Sequence, residues 1–221
     1  MNLIAAIDNK WRIGYNNELL YHSKEDMKRF KMLTTHKDNN NDINVVIMGT
    51  KTLESFPNAE PLKDRFNIVL SFHKDELSKK YANYDNIVFV SNRKNALNIA
   101  HDKTDNNHIW VVGGGSIYNQ FESDCDVAYI TRFFDDYRDS NKIPYKPYSA
   151  SNHMSHMPNL AAESNWSILG ASQPYFYDTG ILYQYQIYIN NVQYMFNRGK
   201  DITYFPYIIN DDKLITSFPI K

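Results

Sequence analysis

Cysteine occurs once in the 221 residues, at Cys125. An intrachain disulfide and a Cys-rich zinc site are therefore excluded. Charge of one sign is not in excess: 24 Lys and Arg stand against 25 Asp and Glu, for a net charge of -1. No global basic field points to nucleic acid. Mean hydropathy is -0.56, and no apolar run approaches the ~20 residues that a membrane helix needs. The opening stretch MNLIAAIDNKW lacks a basic leader, and its apolar part is too short for a signal peptide. The expectation is a soluble cytoplasmic protein with no nucleic-acid or membrane partner. Metal is not expected either, since His153 and His156 lie three apart in a polar stretch. What is abundant is aromatic: 17 Tyr and 12 Phe argue against disorder over most of the length. Glycine is scarce, yet three of the 8 are consecutive, at 113–115.

Short apolar runs recur at 3–7, 45–48 (VVIM), 67–71 (NIVLS), 86–91 (NIVFVS), 109–112 (IWVV) and 127–133 (VAYITRF). Each reads as a buried strand. Helical spacing between them appears at 23–34, 50–56, around 96–100 and at 116–121, while 9–17 and 36–42 read as polar loops. Alternation of this kind predicts an α/β fold with a mixed, mainly parallel central sheet flanked by helices. Runs at 175–177 and 181–189 about Asp178-Thr179-Gly180 predict a closing antiparallel C-terminal hairpin. Two segments do not fit a compact plan. One is a polar insertion at about 135–155, and the other is a Tyr-rich extension, 191–221, beyond a domain spanning 1–190.

Three motifs carry chemistry. In VVGGGSIYNQF, 111–121, backbone without side chains ends a strand and opens a helix, a geometry that admits a phosphate; a tight strand–helix turn is the plainer reading. MGTKTLESF, 48–56, repeats the arrangement, with Gly49, Thr50, Lys51 and Thr52 at a helix start; an ordinary Thr-capped helix is its alternative. Two such strand ends in one small sheet favour a dinucleotide. In YHSKEDMKRF, 21–30, Asp26 shares a helix face with Phe30, beside Met27. Burial there raises a carboxyl pKa in the direction that proton chemistry needs. Ser23-x-x-Asp26 is equally close to a capping box, a purely local device.

The order of these pieces closely resembles dihydrofolate reductase. VVIMGxxTxxS together with VxGGGxxYxQF is a specific combination, and the resemblance runs from 1 to 131 and resumes near 157–158 and 166–189. It implies reduction of 7,8-dihydrofolate to tetrahydrofolate by hydride from NADPH, in support of one-carbon and thymidylate metabolism. Asp26 matches the acid that binds the pterin, and Thr131 the threonine that supports it. Tyr21 stands where the family has a Trp that holds a water near the site. Met27, Phe30 and Phe56 match the clamp on the aminobenzoyl ring. Arg65, in LKDRFNIVLS, matches the arginine that forks onto the tail carboxylate. Ile4 and Val112 match carbonyls that face the pterin, and Ala5 belongs to the same substrate set. Ala6, Ile13, Gly14 and Tyr118 match contacts to the nicotinamide. Gly49, Thr50, Lys51, Thr52, Ser71, Gly113, Gly114, Gly115, Ser116 and Ile117 complete the implied cofactor site, and the Gly113–Gly114 peptide matches one that is cis in the family.

This chain departs from the pattern in places. Leu19-Leu20-Tyr21 replaces Leu-Pro-Trp. Thr50 and Phe72 stand where a basic residue and a Ser or Arg usually meet the 2′-phosphate, leaving Lys51, His73, Lys74 or Arg93 to compensate. Ser155-His156-Met157-Pro158 holds the topological place of an unrecognisable segment. Two other readings stay open. One is a pyrimidine reductase of riboflavin biosynthesis, against which Asp26 and Arg65 both argue. The other is a catalytically silent binding or assembly protein acting through the insertion and tail. The chain reads as a monomer, with association through the extension as the alternative.

Overall fold

The computed structural model describes residues 1–37, 39–134, 154–177, 180–196, 206–210 and 213–216. In chain order its strands and helices are β1 (Asn2–Ile7), β2 (Arg12–Tyr15), β3 (Glu18–Leu19), α1 (Lys24–Thr35), β4 (Val45–Gly49), α2 (Thr50–Glu54) and β5 (Phe66–Leu70). There follow α3 (Lys74–Lys80), β6 (Ile87–Val90), α4 (Arg93–Lys103), β7 (Ile109–Gly113), α5 (Gly115–Phe121) and β8 (Val127–Phe133). The last are β9 (Met154–His156), β10 (Trp166–Ala171), β11 (Tyr175–Phe176), β12 (Leu182–Asn190), α6 (Asn191–Phe196), β13 (Pro206–Asn210) and β14 (Lys213–Thr216).

The central sheet has the order β10-β12-β8-β1-β7-β4-β5-β6, with β11 also paired to β12. From β8 to β6 every pairing is parallel, while β12 runs antiparallel to β8, β10 and β11. The expected mixed sheet with its closing hairpin is therefore present; Asp178 and Thr179 of the expected turn lie outside the described residues. Side-chain alternation divides the core between the two faces. Leu3, Ile7, Val45, Ile47, Val111 and Ile130 pack on one side, under α5. Ile4, Val46, Met48, Val69, Val112 and Tyr129 pack on the other, with Leu33 of α1. The buried parallel strands are the apolar runs of the sequence, because both of their faces are covered.

The polar stretch 9–17, expected as a loop, contains a strand. β2 pairs with β3 on one side and β9 on the other, forming a small second sheet. Its partner β9 is about 140 residues away in sequence, so no local pattern announces it. Residues 135–153 of the expected insertion lie outside the described residues; Met154 and Ser155, expected inside it, belong to β9. Four further elements follow no strong pattern: α3 buries no residue, β10 is an edge strand, and β13 and β14 pair, among the described residues, only with each other.

Candidate functional site

Ser23 caps α1, and its side-chain oxygen accepts from the Asp26 N–H at 3.2 Å. That is the capping device foreseen from the sequence, but the carboxylate itself turns elsewhere. Asp26 Oδ1 accepts from the Thr131 hydroxyl of β8 at 2.5 Å. Burial raises the Asp26 carboxyl above its ordinary range; the Thr131 bond and the charge of Arg29 pull it partly back. Arg29 was not foreseen. It is 2% exposed, and its Nη1 donates to Thr131 Oγ1 at 3.2 Å. Its guanidinium lies 4.3 Å from the centroid of the Tyr185 ring and 6.0 Å from that of Tyr129.

Around this acid lie several of the expected substrate residues. Phe30 and Phe56 pack at the border of the cluster that contains Ile4 and Val112, whereas Met27, on the same helix, is 46% exposed. The Ile4 carbonyl accepts from the Tyr118 hydroxyl at 2.7 Å, and burial pushes that phenol above its ordinary range. Ala5 is not brought to this side: alternation along β1 sends it into the opposite core cluster. Tyr21 is buried and stacks on Phe133, with centroids 4.0 Å apart. Arg65 is locked in place, with Nη1 donating to Thr34 Oγ1 at 2.8 Å and Nε to the Lys63 carbonyl at 2.9 Å. Thr34 thus fixes the Arg65 guanidinium, a contact that nothing in the sequence announces, since it reads there as an ordinary helix-end threonine.

A cleft of about 990 Å³ crosses the carboxyl ends of the parallel strands, the place where such sheets take ligands. Ala6 of β1, Gly49 of β4, Ser71 after β5 and Val112 of β7 line it. Its walls include Ile13 and Gly14 of β2, Thr50, Lys51 and Thr52 of α2, and Gly114, Gly115, Ser116, Ile117 and Tyr118 at α5. Gly113–Gly114 is cis, and Gly113 has φ +101°. A Cβ on Gly113 would lie 2.8 Å from the Tyr118 ring, and one on Gly115 2.3 Å from the His156 carbonyl oxygen. Both glycines are required by close approach. The α5 and α2 helices are short, so the glycine cradle and its polar rim, rather than a long helix dipole, carry the fit to a dinucleotide.

Two proposed compensating cations are not at this cleft. Arg93 makes a forked ion pair with Asp124, and Lys74 lies 3.7 Å from Asp75. Lys51 and His73 do line it, as does Lys80, which the sequence reading missed. Phe72 stands 96% exposed on the same rim. Among the described residues no three His, Cys, Asp or Glu side chains gather as a metal site, and no helix is long and apolar enough to cross a membrane.

Sheet order, buried helix acid and strand-end cleft define an α/β protein of the reductase type. The family model for dihydrofolate reductase matches residues 1–165, and the chain belongs to the dihydrofolate reductase family. It is 33% identical to the dihydrofolate reductase of Candida albicans over 58% of this chain and 64% of that one. It is 33% identical to dihydrofolate reductase type 9 of Escherichia coli, over 60% and 69%. With the dihydrofolate reductase of Buchnera aphidicola it shares 39% identity over 59% and 70%. The chain thus spans just under two thirds of the Candida relative's length.

Proposed function

We propose that this chain reduces 7,8-dihydrofolate to 5,6,7,8-tetrahydrofolate with NADPH, serving one-carbon and thymidylate metabolism in the cytoplasm. The observation that carries the reading is Asp26, a buried carboxylate held by Thr131, whose charge acts on Tyr118 in the wall of the strand-end cleft. NADPH, when bound, supplies a hydride from its nicotinamide to C6 of the pterin, and a proton is taken up at N5. The protein's own residues bind and orient. Asp26 accepts from the 2-amino group and the ring N–H of the pterin, a charge-assisted pair of hydrogen bonds that orients the ring. The Ile4 carbonyl, already engaged by Tyr118, and that of Val112 frame the ring. Phe30 and Phe56 hold the aminobenzoyl group, and the exposed Met27 closes over it. Arg65, pre-set by Thr34, forks onto the tail carboxylate. The 2′-phosphate of the cofactor meets Lys51 and His73 at the cleft rim, in place of the residues that Thr50 and Phe72 replace.

We further propose that 1–190 forms the reductase domain and 191–221 an extension, in a monomeric enzyme. β12 ends at Asn190, and β13 and β14 pair outside the main sheet. The test is loss of reduced-nicotinamide absorbance on mixing the protein with dihydrofolate, run in parallel with NADPH and NADH. Dihydrofolate-dependent loss with NADPH is the expected result. Tight NADPH binding without turnover would overturn it and bring forward the pyrimidine reductase and silent readings.

A further inference from the structure

Arg29 is a buried cation that neither the family pattern nor the proposed chemistry uses. It lies one helical turn after Asp26, on the same side of α1. A guanidinium only donates hydrogen bonds. Because Arg29 Nη1 donates to Thr131 Oγ1, that oxygen acts as acceptor on this side, and its single proton is left to point at Asp26 Oδ1. The three groups form a relay of fixed direction, from guanidinium through hydroxyl to carboxylate. Tyr185 of β12 covers the cation from the far side at 4.3 Å, and the fully buried Arg29 Nε has no hydrogen-bond partner among the described residues. An unpaired buried donor is a standing cost, and an apolar side chain of similar size would avoid it.

We infer that Arg29 is a positioning residue for the substrate acid: it turns the Thr131 hydroxyl onto Asp26 and holds that carboxylate in its charged, acceptor-only form. The inference rests on the reading of Asp26 as the pterin-binding group. The titratable groups around Asp26 come from four elements. Glu25 neighbours it on α1. Tyr118 from α5, together with Tyr183 and Tyr185 from β12, interacts with its charge, and burial raises all three phenols, so they remain neutral. On β8, Tyr129 faces Arg29, while Arg132, the next residue but one along from Ile130, interacts with Tyr188 instead. Among these described groups the positive charge acting on Asp26 is that of Arg29.

The test is the titration of the Asp26 carboxyl, read by NMR of protein labelled at the aspartate carboxyl carbon, with Asp26→Asn identifying the signal. It is done without substrate, so it does not depend on turnover. In Arg29→Met the midpoint should move up by about one pH unit or more. Arg29→Lys, which keeps the charge, should return it toward wild type. Arg29→Gln serves the same comparison if the Met variant does not fold, since an amide can still donate to Thr131 but carries no charge. In a Thr131→Val background the effect of removing Arg29 should be smaller, because the relay is already cut. A parallel readout is the KM for dihydrofolate, which should rise toward acid from a higher pH in Arg29→Met or Arg29→Gln, with the KM for NADPH unchanged. An Asp26 midpoint unmoved in a folded Arg29→Met or Arg29→Gln protein overturns the inference. Absence of turnover in the wild type would instead count against the proposed function.

Discussion

Gly115→Ala puts one methyl group where the backbone leaves no room. The new Cβ would lie 2.3 Å from the His156 carbonyl oxygen and 3.4 Å from its carbon. Ordinary contact begins at 3.4 Å, so the gap must open by about 1 Å. Rotamer changes cannot provide this, because the obstructing atom is main chain and belongs to β9. Either β9 shifts with its partner β2, or the start of α5 does. Overpacking of this kind costs about 1–3 kcal/mol. At about 3 °C per kcal/mol for a chain of this size, Tm should fall by roughly 3–9 °C. The same displacement moves two walls of the cleft, since Ser155, His156 and Gly115 all line it. The KM for NADPH should rise, and a misplacement of this size can lower kcat/KM by up to about a hundredfold. Gly49→Ala is the control: its Cβ would meet only the flexible Ile117 side chain, at 3.3 Å, so its effect on Tm should be smaller. Differential scanning calorimetry and steady-state kinetics measure both quantities. A Gly115→Ala protein with wild-type Tm and wild-type KM for NADPH would refute the steric reasoning.

Other perturbations follow from the same contacts. Asp26→Asn should abolish most turnover while raising stability at neutral pH. The folded carboxyl titrates above its ordinary value of 3.8, so its contribution to stability is full below that value and is lost as pH rises through the folded one. The gain from the amide should therefore vanish in acid, and thermal melts across pH will show it; a destabilised variant at neutral pH contradicts the assignment of burial as the dominant effect. Tyr118→Phe strands the buried Ile4 carbonyl and should cost about 1–3 kcal/mol in denaturant unfolding. Arg65→Lys keeps the charge but not the fork; the KM for dihydrofolate should rise several-fold while NADPH binding, followed by fluorescence, stays unchanged.

The strands of the central sheet could be read in advance because burial on both faces makes them continuous apolar runs. VVIM and IWVV sit where that reading put them, as β4 and β7. The small sheet could not be read. RIGY has no alternation, and its pairing depends on Met154–His156, far along the chain. The segment KDELSKK forms α3 without any buried residue, so it carries no apolar stripe to detect. At the site, motif order paired Asp26 with Thr131, and the geometry brings the two together. Arg29 was not legible, since KEDMKRF looks like a solvated charged face. Only the socket made by Thr131, Tyr129 and Tyr185, from strands remote in sequence, turns that cation inward. Ala5 shows how alternation acts: adjacency to Ile4 in sequence places its side chain on the other face of the sheet.

β12 lies between β8 and β10, yet it is among the last parts of the sheet to leave the ribosome. Until Leu182–Asn190 arrives, the outer edge of β8 is unpaired and Arg29 lacks its Tyr185 cover. The parallel portion of the sheet can assemble earlier from segments closer in sequence, whereas docking of β12 must wait and closes contacts of long sequence separation. The socket that turns Arg29 toward Thr131 is therefore completed late in synthesis.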